Sequence, residues 1–125
     1  MKKLSLGVCL FVGAMLLVSG AGHAGNADVV DATLERRADG TFTVHATVRH
    51  GDEGWDHYAN GFDVLAPDGV VLGTRVLAHP HVNEQPFTRS LRGLNVPAGV
   101  ARVTVRAQDS VHGQGGASVV LEVPR

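Results

Sequence analysis

Apolar and polar residues alternate with a period of two through almost the whole chain beyond residue 28, and no segment carries an apolar stripe at helical spacing. That pattern restricts the fold to sheets with one face buried and one face wet. In the run Thr41 to Arg49, Phe42, Val44, Ala46 and Val48 fall on one side, and Thr43, His45, Thr47 and Arg49 on the other. Comparable runs span Val29–Arg36, Gly61–Ala66, Val70–Leu77, Phe87–Leu94, Ala101–Gln108 and Ala117–Val123. Turn signals separate some of them: Ala38-Asp39-Gly40, Pro67-Asp68-Gly69 and Pro97-Ala98-Gly99. Seven short strands in about a hundred residues predict an all-β fold, a seven-strand antiparallel β-sandwich.

The residues before these runs have a different character. Met1-Lys2-Lys3 is a basic start, and Leu4 to Val18 is an apolar run too short and too interrupted by Ser and Gly for a transmembrane helix. Gly22 and Ala24 place small residues where a signal peptidase reads. Residues 1–24 are therefore predicted to be a signal peptide and 25–125 the β-sandwich domain, exported to a periplasm or beyond the cell. Cys9 lies inside the apolar run, without the spacer that precedes a lipid-attachment cysteine, and leaves with the leader. The remaining domain has no Cys, Met or Lys, nine Arg against twelve Asp plus Glu, and six His. A net charge near −3 argues against nucleic acid, which selects a basic face, and against an anionic membrane surface once the leader is gone. Without thiols the fold rests on its hydrophobic core, and a domain of this length can bury roughly two thirds of its unfolded surface.

The stretch "GLNVPAGVARVTVRAQDSVHGQGGASVVLEV" places a turn, a long sixth strand, a Gly-rich loop and a final strand in succession. This order resembles the fibronectin type III and immunoglobulin-like β-sandwiches, and the resemblance extends over most of the domain. It implies an architecture and no chemistry, because such sandwiches host many unrelated functions.

Connections in a seven-strand sandwich alternate between its two ends. The first, third and fifth are short turns here. The second, fourth and sixth are "HGDEGWDHYAN", "AHPHVNEQPF" and "DSVHGQGGA", all longer and all containing histidine. His50, His57, His79, His81 and His112 are thereby predicted to share one pole, while His45 lies on the outward face of the second strand.

Imidazole is the commonest protein metal ligand, and His with Asp or Glu and no sulfur suits Cu(II) or Zn(II). His79 and His81 are two apart, so an extended backbone points both to one side, and Pro80 favours that conformation for His79. His57, His112 and Glu84 are the further ligand candidates, with Asp56 and Asp109 as orienting partners. Arg89 shares the parity of Phe87 and Leu91; a regular strand turns it inward, toward Asp109 or Asp56, and a bulge releases it to water. Two other readings of the pole stand beside metal binding. Loop histidines can bond to nearby carbonyls and hold nothing, and the same loops can form a protein- or glycan-binding module through Trp55, Tyr58 and the arginines. Catalysis has little support: Asp109, Ser110 and His112 are too close in one loop to form a triad, and no Gly-x-Ser-x-Gly elbow is present.

Overall fold

The computed structural model describes residues 25–125 and the backbone of 17–19; the rest of the expected signal peptide lies outside the described residues. The strands are β1 (Leu17–Ser19), β2 (Asp28–Arg36), β3 (Phe42–Arg49), β4 (Ala59–Leu65), β5 (Val71–Val76), β6 (Phe87–Leu94), β7 (Arg102–Asp109) and β8 (Ser118–Glu122). Strands β2 to β8 make the antiparallel sandwich expected from the alternation. One sheet has the order β2-β3-β6, and the other runs β8-β7-β4-β5, with the three residues of β1 along the outer edge of β8.

Register follows the sequence pattern because a slip of one residue would carry every apolar side chain of a strand to the wrong face. Phe42, Val44, Ala46 and Val48 of β3 are buried, as are Val103, Val105 and Ala107 of β7 and Val119 and Leu121 of β8. They pack with Phe62, Val64 and Phe87 into one core between the sheets. Among the described residues, the buried core cluster runs from Ala27 to Leu121.

Three short turns close one pole, two of them through left-handed glycines, Gly40 and Gly69. The opposite pole gathers the β3–β4, β5–β6 and β7–β8 loops and the start of the domain. At the start of β2 the chain crosses the last loop, where Val29 donates to the Ala117 carbonyl (2.9 Å) and the Ala117 amide to Asp28 Oδ1 (2.8 Å). Gly116 is required at this crossing, since a Cβ there would collide with the Ala27 carbonyl and Asp28 Oδ1. The crossing sets Gly25 at the centre of the histidine-bearing pole.

Candidate metal centre

The centre begins with two residues that end strands on the core-facing side. His50 follows β3 in the inward parity of Phe42 to Val48, and Asp109 closes β7 in that of Val103 to Ala107. Both are buried. Phe62, Ala107 and their neighbours fill the interior up to this level, so a polar pair replaces the apolar layer at the mouth of the sandwich.

Local turns deliver the other groups. The loop after β7 closes on itself through reciprocal backbone bonds between Asp109 and Gly113 (3.0 and 3.1 Å), with Gly113 in the left-handed region. Asp109 Oδ1 accepts the amide N–H of Val111 (2.8 Å) and that of His112, an Asx-type turn that brings the His112 ring back over Oδ2. In the β3–β4 loop, the Glu53 amide donates to the His57 carbonyl (2.8 Å) around left-handed Gly54, which folds His57 toward Asp109.

Three ring nitrogens thereby converge on two oxygens. His50 Nε2, His57 Nε2 and His112 Nδ1 stand 3.1, 3.2 and 3.1 Å from Asp109 Oδ2. The same three nitrogens stand 3.1, 3.1 and 3.0 Å from the Gly25 carbonyl oxygen. Hydrogen bonds alone account poorly for this arrangement: each N–H would be shared between two acceptors, and a carbonyl with two lone pairs would face three donors. The outward nitrogens sharpen the point. His50 Nδ1 meets Asp52 Oδ1 at 2.5 Å and His57 Nδ1 meets Glu53 Oε1 at 2.7 Å. A carboxylate accepts, so each Nδ1 donates; in a ring with no second proton, the Nε2 lone pair would face the lone pairs of Gly25 and Asp109. A cation between them resolves the repulsion, and carboxylate–imidazole pairs of this kind orient metal-bound histidines. Among the described residues, His50, His57 and Asp109 form a group whose ligand atoms lie within 4.8 Å of one another, compact enough to hold a metal ion.

The electrostatics favour positive charge at this point, carried by a proton or by a metal ion. Burial by itself raises the Asp109 pKa, but the His112 amide and ring, the Val111 amide and the His57 ring outweigh it and hold the carboxyl well below the usual carboxylate range. His57 is raised above its ordinary value, chiefly by the bond to Glu53.

The residues singled out in the sequence divide between this centre and its surroundings. His57, His112 and Asp109 are brought together. His50, which shares the pole but was not among the predicted ligands, joins them, as does the Gly25 carbonyl. His79, His81 and Glu84 contribute no atom to the cluster. The His79-Pro80-His81 segment is not a strand; its two rings lie side by side, with centroids 4.7 Å apart, but in different surroundings and away from the cluster. His79 is exposed and bonds the Pro80 carbonyl (3.1 Å). His81 is only 6% exposed, because its amide donates to Asp52 Oδ2 (2.6 Å) and its ring stacks on Phe87 at 3.9 Å; neither of its ring nitrogens has a partner. Glu84 pairs with Arg89 (3.2 Å), so that guanidinium reaches the rim of the sandwich and neither Asp109 nor Asp56, which is itself exposed. Trp55 is 67% exposed, with its ring edge-on to Tyr58 at 5.6 Å, and does not close the end of the core.

Asp52 links the two groups. Its Oδ1 takes His50 Nδ1–H and the Ala59 amide (3.1 Å), while Oδ2 holds the His81 amide. Gln85 adds a second clasp, accepting from the His50 amide (2.9 Å) and donating to the His81 carbonyl (3.0 Å).

A protein of Halomicrobium mukohataei named "Putative lipoprotein" is 40% identical to this chain over 96 residues, which are 77% of this chain and 47% of that protein. The chain thus spans about half the length of that relative. No family model and no solved structure matches it.

Proposed function

We propose that this chain is an exported β-sandwich domain that holds one divalent transition metal ion, Cu(II) or Zn(II), between His50, His57, His112, Asp109 and the Gly25 carbonyl. The reading is carried by the six nitrogen–oxygen separations of 3.0–3.2 Å. Ligands at right angles around an ion bound at about 2.1 Å stand about 3.0 Å apart. Three imidazole nitrogens and two oxygens would hold the ion, which would supply a Lewis-acidic centre at this pole. Three imidazoles, two oxygens and no sulfur suit a borderline metal. Export is supported by the predicted leader and by the name of the relative. The three-against-four division of the strands supports a fibronectin type III-like scaffold.

The test is a titration of chelator-stripped domain with Zn(II) and with Cu(II), followed by thermal unfolding. An ion that binds only the folded state adds roughly 2.7 kcal/mol at a hundredfold excess over its dissociation constant. His50→Ala and His112→Ala should each abolish most of that gain, whereas His79→Ala should keep it. An unaltered domain whose melting ignores both metals refutes the proposal. Exposed Trp55 beside the same loops favours a partner-binding module as the second reading, which predicts a metal-free protein after native purification.

A further inference from the structure

Two independent observations meet at Gly25. The small residues Gly22 and Ala24 place the expected leader cut directly before it, and the fold places its carbonyl oxygen 3.0–3.1 Å from three imidazole nitrogens. The position also favours glycine, since Gly25 lies at a positive φ of 88° and a Cβ there would come 3.0 Å from His112 Cε1. A residue whose carbonyl faces all three imidazoles is thus the one that processing would make the first of the chain.

We infer that removal of the leader turns Gly25 into a chelating terminus, its freed α-amino nitrogen joining its carbonyl oxygen on the same ion; this rests on the metal centre proposed above. A leader-cleaving peptidase adds water across the Ala24–Gly25 peptide bond, leaving a carboxylate on Ala24 and an amine on Gly25. The peptide nitrogen of the uncut chain is a poor donor because its lone pair is delocalised into the carbonyl. A free amine has an available lone pair, and with the carbonyl oxygen of the same residue it closes a five-membered chelate ring. Its ordinary pKa is about 7.7–8.0, so at neutral pH the ion displaces one proton. The amine would add a further nitrogen donor to those of the three imidazoles. Tight loading therefore waits for processing, and the uncut chain inside the cell is the weaker binder.

The experiment compares three forms that all contain the core cluster from Ala27 to Leu121: the domain beginning at Gly25, the same domain with its α-amine acetylated, and the chain with the leader left uncut. Each is titrated with Cu(II) against a competing chelator, and the Gly25 form is also prepared with glycine carrying the heavy nitrogen isotope. The acetylated and uncut forms should bind Cu(II) about tenfold or more weakly, the scale already seen when a partner of a metal ligand is lost. The copper resonance spectrum of the Gly25 form should change with the isotope, because no other glycine nitrogen is a ligand. Equal affinities in the three forms, or a spectrum blind to the isotope, overturn the chelating terminus while leaving the histidine centre standing. Absence of Cu(II) binding in all three overturns the centre itself and this inference with it.

Discussion

Asp52→Asn is the substitution that tests the centre most directly, because it changes one atom and keeps the shape of the side chain. Asp52 is buried and accepts from three donors: His50 Nδ1–H at 2.5 Å, the Ala59 amide at 3.1 Å and the His81 amide at 2.6 Å. An asparagine must aim its NH2 at one side. Facing His81, it sets donor against donor and strands a buried amide. Facing His50, it strands the Ala59 amide and makes His50 accept at Nδ1, which moves the ring proton to Nε2 and occupies the lone pair offered to the ion. Either orientation leaves a buried donor unpaired, at roughly 1–3 kcal/mol. A loss of about 2 kcal/mol lowers the melting temperature of a domain this size by roughly 8–16 °C. Metal affinity should fall a further 10–100-fold or so, since the carboxylate that orients His50 is gone. Calorimetric melting in chelator reads the first effect, and the extra shift with Zn(II) reads the second; exposed Asp56→Asn should show neither. An Asp52→Asn protein that keeps both its metal-free melting point and its metal response would refute the oriented-histidine centre.

Three further outcomes are expected. Gly116→Ala should destabilise the domain by roughly 1–3 kcal/mol through its collision with Ala27 and Asp28, and weaken metal binding by displacing Gly25; urea unfolding and a Zn(II) titration check both. Burial, with Arg89 and His79, lowers the His81 pKa, so the unfolded ring is protonated first and its contribution to stability is lost as pH falls through 6.5; urea melts should show His81→Phe about 1 kcal/mol more stable at neutral pH and less acid-sensitive than the unaltered domain. Trp55→Ala should leave stability within about 0.5 kcal/mol and metal affinity unchanged, while a partner captured through this pole should lose binding.

The sequence by itself determined the sandwich. Alternation is a local property with a period set by the pleat, so Phe42 to Val48 and Val103 to Ala107 declare their buried faces without reference to any other strand. The alternation of loop lengths likewise collected the histidines at one end. The selection among them was decided only in three dimensions. His50 and Asp109 each extend an inward-facing parity one step past the last apolar residue, a signal present in the sequence and readable only once the two strand ends are known to face each other across the core. His79 and His81 have the spacing of a ligand pair, but the Asp52 carboxylate, far away along the chain, and the Phe87 ring at the start of β6 hold His81 in the interior. Arg89 carries the inward parity of Phe87, yet lies on an edge strand whose rim offers Glu84 and water. The Gly25 carbonyl carries no side-chain signature at all. It enters the centre because the chain crosses under Gly116, a contact fixed by the packing of β2 against β8 and by nothing in the local sequence.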